Sequence, residues 1–165
     1  MPSRKPEDLH PWVYPMFRSF VARCTKGLPA NVSVLTTCTF RSRAEQADLY
    51  AQGRTKPGRI VTWAPPGMSS HNFELDGKPA SLAFDVVPLR NGVLIWGTKG
   101  NGIDNDPTDD DRDDLELWQR IGQFGRLAGL AWAGDWSPGK REFPHFEHPK
   151  ARDIRLGTWH PDAED

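Results

Sequence analysis

Cysteine is scarce in this 165-residue chain, which contains only Cys24 and Cys38. Two cysteines cannot build the disulfide framework of a small secreted domain, so we expect both to be buried thiols. Neither sign of charge is in excess, because 21 basic residues face 22 acidic ones. Proteins that bind nucleic acid through bulk charge are usually basic, so we expect no nucleic-acid partner.

Long apolar runs are also missing. The longest nearly apolar stretch, residues 127–133, is far shorter than the ~20 residues of a membrane span, so we expect no membrane insertion. Basic residues near the N-terminus are not followed by an apolar segment, so we expect no Sec-type signal. The sequence therefore predicts a protein made in the cytoplasm. Its length and its 37% apolar content predict one globular domain over residues 1–165.

Hydrophobic periodicity predicts a mixture of helices and strands. Three- and four-residue spacing of apolar residues indicates helices over about 11–26, from Ser42 to Gly53, and from about 113 to Gly129. Ser42 and Glu45 form a capping-box pattern at the start of the second helix. Alternating or buried β-branched runs indicate strands at 32–40, 82–87 and 93–96, and strand–loop–strand over 130–147.

Two histidines and one aspartate stand out as chemical candidates. His71 follows a Pro-Pro-Gly loop, and His145 lies between Pro144 and Phe146. Asp85 ends an apolar run, where a buried carboxylate is costly unless it is paired or binds a metal. Glu142, three residues before His145, adds a second carboxylate.

This set matches the residues of a catalytic zinc site. Three protein ligands leave the fourth tetrahedral position for water. Zinc lowers the pKa of that water from 15.7 to about 7, and a nearby carboxylate can take its proton. The alternative left open by spacing is a pair of core histidines and a salt-bridged aspartate.

Three blocks of sequence resemble a known family, the zinc D-alanyl-D-alanine carboxypeptidases and L-alanyl-D-glutamate endopeptidases. This family includes small phage endolysins and the vancomycin-resistance dipeptidases. The blocks occur in the family's order over roughly residues 40–147. The first block consists of Phe40-Arg41-Ser42, Glu45-Gln46, Leu49-Tyr50 and Gln52-Gly53-Arg54-Thr55. The second runs from Pro57-Gly58 through Ser69 to His71-Asn72-Phe73 and Ala83-Phe84-Asp85. The third runs from Gly129 to Trp136 and ends with Pro144-His145-Phe146-Glu147.

The resemblance implies a role for each matching position. His71, Asp85 and His145 fall on the zinc ligands, which implies one Zn²⁺ per chain. Glu142 falls on the catalytic acid/base. Arg41 falls on the arginine that binds the substrate's carbonyl or carboxylate, and Ser69 on a substrate-contacting serine.

One departure from the family is the step of fourteen residues from His71 to Asp85, which is longer than the family's. The extra residues, 74–81, include Asp76-Gly77, a hairpin-turn signal, so they can lengthen a hairpin at its tip. Asp76 is a rival ligand, but in such a turn we expect it to be exposed. A second metal is also considered: the acidic run from Asp104 to Asp110 resembles the start of a calcium loop but lacks its later glycine and glutamate.

Together these observations predict an α+β fold, with a small antiparallel zinc-bearing sheet packed against two or three helices. The predicted function is a zinc metallopeptidase acting on peptidoglycan stem peptides. The bond is expected to be L-Ala–D-Glu, cut by a monomeric phage-type endolysin that reaches the wall after holin release. The alternatives are a D-Ala-D-Ala carboxypeptidase and a non-catalytic wall-binding homologue. His10, His148 and His160 are interpreted as surface residues.

Overall fold

The computed structural model describes residues 1–96 and 110–163, with only the backbone for 110–113 and 163. Its helices are α1 (Tyr14–Gly27), α2 (Arg43–Ala51), α3 (Asp110–Leu127) and α4 (Ala151–Leu156). Its strands are β1 (Val32–Cys38), β2 (Glu74–Leu75), β3 (Lys78–Pro79), β4 (Ala83–Arg90), β5 (Val93–Leu94), β6 (Ala131–Trp132) and β7 (His145–Glu147). The predicted α+β class with a small antiparallel sheet is confirmed.

The described chain packs as two compact units. The first unit comprises Met1–Tyr14, Cys38–Phe84 and Glu147–Asp165, and the second comprises Pro15–Thr37 and Asp85–Phe146. No helix of the described residues is long and apolar enough to cross a bilayer. The proposed calcium-binding run, Asp104 to Asp110, lies outside the described residues except for the backbone of Asp110.

The second unit is built on the main sheet, in which the strand order is β1–β4–β7–β6 and β5 pairs with β4. Helices α1 and α3 contribute aromatic and aliphatic side chains to its core. Phe20 of α1 packs on Phe146 of β7 with ring centroids 4.8 Å apart, and Trp118 and Ile121 of α3 are fully buried. Val21 of α1 follows the apolar spacing of this helix but is 42% exposed.

Two glycines let α3 approach the aromatic core closely. A Cβ at Gly125 would lie 2.3 Å from the Phe146 ring, and a Cβ at Gly122 would lie 2.3 Å from the Trp132 ring. Real Cβ atoms do not approach so near, so both aromatic rings occupy space that any larger residue would need.

Both predicted hairpin turns are present, and each uses two left-handed residues. Asp76 and Gly77 have φ of 51° and 74° between β2 and β3, and Asn91 and Gly92 have φ of 53° and 78° between β4 and β5. Such turns match the twist of antiparallel strands and favour Asn or Asp followed by Gly. Residues 74–79 of the insertion therefore form an exposed hairpin, whereas Ala80 and Ser81 are buried, and Asp76 is exposed as predicted.

The first unit holds α2, α4 and the β2–β3 hairpin. The capping box of α2 is confirmed: Ser42 Oγ accepts from the amide of Glu45, and the Glu45 carboxylate accepts from the amide of Ser42. Ala44 and Ala47 are exposed, and Gln46 is the buried residue of α2. Helix α4 contacts a short 3-10 turn at Ser70–Asn72.

We expect Gly125→Ala to destabilise the protein by about 1–2 kcal/mol. Overpacking against Phe146 costs about 1–3 kcal/mol, and the better helix propensity of alanine returns up to about 1 kcal/mol. Urea unfolding measures the difference. Gly139→Ala is the matched control, because no atom lies within 4 Å of its added Cβ, and it should be near neutral. Equal stability of the two variants would contradict this packing.

Candidate active site

The first unit places His71 in a fixed orientation. The ring is 2% exposed, and its Nδ1 lies 2.7 Å from the carbonyl oxygen of Thr39. A carbonyl can only accept, so Nδ1 must donate, and the lone pair of the neutral ring is therefore on Nε2. Histidines that bind metals commonly donate their other ring N–H to a carbonyl in this way. The backbone is held as well, because the Arg41 amide donates to the His71 carbonyl at 3.0 Å.

Arg41, the predicted substrate-binding residue, is oriented by a buried glutamine. Its Nη1 donates to Gln46 Oε1 at 2.8 Å, and its Nη2 lies 3.7 Å from Cys38 Sγ. Gln46 is fully buried, and its Nε2 donates to Ala64 O at 2.7 Å and to Thr62 Oγ1 at 3.2 Å. The guanidinium therefore has few orientations open to it. Sequence reasoning missed this function of Gln46, although the residue stood in the first family block.

Ser69 caps the 3-10 turn that carries His71. Its Oγ accepts from the His71 amide at 3.2 Å, and the residue is 8% exposed. The next residue, Ser70, donates from Oγ to Glu147 Oε2 at 3.0 Å. The contact shown for Ser69 is thus a structural one that positions His71, and its contact with substrate stays a prediction.

The second unit brings Asp85 and His145 together. Asp85 Oδ1 lies 3.1 Å from His145 Nδ1, and the two side chains are 20% and 9% exposed. Two tetrahedral ligands with metal bonds of about 2.0–2.2 Å would be about 3.3–3.6 Å apart, close to this distance. The spacing of this pair therefore suits two neighbouring ligands of one zinc ion. The Trp136 ring packs against His145, with centroids 5.4 Å apart.

Glu142 is linked to His145 by a tight turn in the same unit. The His145 amide donates to the Glu142 carbonyl at 3.3 Å, and the Glu142 amide donates to the Ala133 carbonyl at 3.2 Å. Pro144 lies inside the turn and restricts its backbone. The position three residues before His145 is therefore structurally defined, and the Glu142 side chain is half-buried.

The chemistry of the donors fits a metal. Thiol, imidazole and carboxylate groups such as those of Cys38, His71 and Asp85 are side chains that can bind a metal ion. Cys38 was not predicted as a ligand. Its Sγ lies 3.6 Å from His71 Nδ1, the nitrogen that donates to Thr39, so the sulfur faces the protonated side of the ring. Both cysteines are free and buried, as the sequence predicted.

The prediction that His10 and His148 are surface residues is wrong. They are 3% and 4% exposed, and each Nδ1 accepts a backbone hydrogen bond at 3.0 Å, from Trp12 and Lys150 respectively. The Trp12 ring covers His10 at 4.5 Å. Burial, with a smaller contribution from the charge of His148, lowers the pKa of His10 to about 4, and burial also lowers the pKa of His148. His160 is exposed as predicted.

We expect the free energy of unfolding to fall as the pH drops from about 6.5 towards about 4. In this window the unfolded chain protonates its histidines, whereas native His10 stays neutral, so unfolding takes up protons. Above pH 6.5 both states are neutral and this contribution to the slope disappears. Urea unfolding at a series of pH values measures the effect.

His10→Asn is the matched variant for this measurement, because asparagine can still accept from the Trp12 amide but does not titrate. Its unfolding free energy should depend less on pH than that of the wild type. The same slope in both proteins would show that His10 is not responsible.

Comparison with known proteins first defines the fold. The L-Ala D-Glu endopeptidase ChiX of Serratia marcescens superposes with a TM-score of 0.53 over 94% of this chain and 92% of ChiX, at 17% identity. The chain therefore has the fold of this endopeptidase. No family model matches the sequence.

Sequence similarity then defines the family. The peptidoglycan L-alanyl-D-glutamate endopeptidase CwlK of Bacillus subtilis (strain 168) is 36% identical over 145 residues, which are 86% of this chain and 74% of CwlK. The chain belongs to the zinc D-alanyl-D-alanine carboxypeptidase and L-alanyl-D-glutamate endopeptidase family that its three sequence blocks resemble.

Proposed function

We propose that this protein is a zinc peptidase that hydrolyses the L-Ala–D-Glu bond of peptidoglycan stem peptides. The observation that carries the proposal is the 3.1 Å pair of Asp85 and His145, in a chain 36% identical to an enzyme named for this activity. The orientation of His71 supports it, because the hydrogen bond to Thr39 leaves the lone pair on Nε2.

In this proposal His71, Asp85 and His145 hold one zinc ion. Neutral imidazoles and a carboxylate suit zinc, and three ligands leave one position for water or substrate. The ion supplies Lewis-acid polarisation of the scissile carbonyl and a water nucleophile at neutral pH. Residues 1–165 are proposed to act as one peptidase domain.

The remaining steps are assigned to the protein's own side chains. Arg41, oriented by Gln46, binds the carbonyl or carboxylate of the stem peptide, where its fixed guanidinium stabilises developing negative charge. Glu142 accepts a proton from the attacking water and returns it to the leaving amine. Ser69 contacts the peptide next to His71.

The biological setting is proposed from the family resemblance. The protein is proposed to act as a monomer on the bacterial wall, as a phage-type endolysin released through a holin. Its partner is the peptidoglycan stem peptide. A D-Ala-D-Ala carboxypeptidase and a non-catalytic wall-binding protein are the alternatives that the following experiment separates.

Mass spectrometry of digested peptidoglycan tests the proposed bond. The wild type should create new amino termini on D-Glu. Glu142→Gln should lower turnover by about 10²–10⁴-fold, because glutamine keeps the size of glutamate but cannot take the proton. Loss of terminal D-Ala would indicate the carboxypeptidase, and no cleavage would indicate the binding protein. Near wild-type turnover of Glu142→Gln would assign the base elsewhere, with Glu147 the first to test.

Metal analysis tests the ligands separately from activity. Protein purified without chelator should contain about one zinc per chain. Asp85→Asn should lose most of it, because a neutral amide is a poor zinc ligand. Asp76→Asn is the matched control: Asp76 is exposed in a turn with φ of 51°, which asparagine tolerates. Zinc loss in the control alone would mean that the inserted hairpin supplies the ligand.

A further inference from the structure

An aromatic platform stands on the surface of the first unit, formed by Tyr50, Arg54 and Trp63. The Arg54 guanidinium carbon lies 3.8 Å from the centroid of the Tyr50 ring and 5.8 Å from that of the Trp63 ring. The guanidinium is fixed at both ends, because Nη1 donates to the Tyr50 carbonyl at 2.7 Å and Nη2 to the Thr62 carbonyl at 3.1 Å. Arg54 therefore holds Trp63 against α2.

Trp63 remains open to solvent in spite of this support. It is 59% exposed, and its loop also exposes Ile60 and Val61. Leaving a tryptophan in water forgoes the stabilisation that its burial would bring, so core packing does not account for this residue. Contiguous apolar surface rimmed by polar groups is characteristic of binding sites.

The platform is joined to the proposed substrate arginine through one side chain. Gln46 donates to Thr62 and to Ala64, the two residues that flank Trp63, while its Oε1 accepts from Arg41. The residues on either side of Trp63 are thus held by the same buried amide that orients Arg41. One side chain, Gln46, therefore separates Arg41 from the loop that carries Trp63.

The chemistry of the proposed substrate indicates what would lie there. In peptidoglycan the L-Ala of the stem is joined by an amide to the lactyl group of N-acetylmuramic acid. One extended residue spans at most about 3.6 Å, so cleavage after L-Ala brings the sugar close to the reacting carbonyl. A pyranose presents a face of C–H groups, which an exposed indole can cover, as aromatic rings cover other apolar faces.

We propose that Trp63, supported by Arg54, binds the muramoyl sugar attached to the stem peptide. The proposal rests on the L-Ala–D-Glu endopeptidase function and extends it to the glycan side of the substrate. The enzyme then distinguishes stem peptides still attached to glycan from free peptides. Gln46 connects the sugar subsite to the arginine that orients the peptide.

Two substrates with the same stem peptide test the proposal, one carrying N-acetylmuramic acid on L-Ala and one with an acetylated L-Ala amine. The wild type should have the higher kcat/KM on the sugar-bearing substrate. Trp63→Ala should lower kcat/KM on that substrate by roughly tenfold, mainly through KM, and leave the acetylated peptide unchanged. Trp63→Phe should retain most of the preference, because it keeps an aromatic face.

Trp96→Ala is the matched control, since Trp96 is similarly exposed at 56% and lies outside the platform. It should leave the ratio of the two substrates unchanged, and thermal unfolding should show that all variants are folded. Equal loss on both substrates would place Trp63 on the peptide and overturn the proposal, as would no loss on either. A wild type that cuts neither substrate at L-Ala–D-Glu would overturn the endopeptidase function as well.

Discussion

The proposed peptidase chemistry depends on the hydrogen bonds that join residues 39–41 to the turn carrying His71. The Thr39 carbonyl accepts from His71 Nδ1, the Arg41 amide donates to the His71 carbonyl, and Asn72 Nδ2 donates to the Arg41 carbonyl at 2.7 Å. These bonds determine the tautomer of His71 and place Arg41 beside it. Without these hydrogen bonds, the His71 side chain would lose conformational entropy each time it bound a metal.

The buried amide of Gln46 connects Arg41 to the loop that contains Thr62 and Ala64. Gln46 is fully buried on a short helix, and burying an unsatisfied amide would cost roughly 1–3 kcal/mol. Its carbonyl and amino groups are instead satisfied by Arg41, Thr62 and Ala64. The capping box starts the helix at Arg43, which sets the position of Gln46. The start of α2 therefore determines where Gln46 lies, and Gln46 in turn orients Arg41.

In the second unit, a buried carboxylate also needs a polar partner, as the buried amide of Gln46 does in the first. Asp85 belongs to β4, whose neighbours Val86 and Val87 are fully buried, and a lone carboxylate there would be expensive. His145 Nδ1 lies 3.1 Å away and supplies the partner. The close approach of α3 at Gly125 leaves room for Phe146 beside His145, so a core residue and one candidate ligand are neighbours on β7.

The sequence by itself determined the local features of this protein and its family. The capping box at Ser42 and the two left-handed turns follow from interactions between near neighbours in the chain, and the free thiols follow from a count of two. Only the tertiary structure decided which polar groups are buried. His10 and His148 were predicted at the surface because the rings that cover them, Phe73 and Trp12 respectively, come from distant segments. Gln46 was given no function because the carbonyl it binds, that of Ala64, lies 18 residues away. Burial and hydrogen bonding across such separations are set by packing, which residue spacing does not encode.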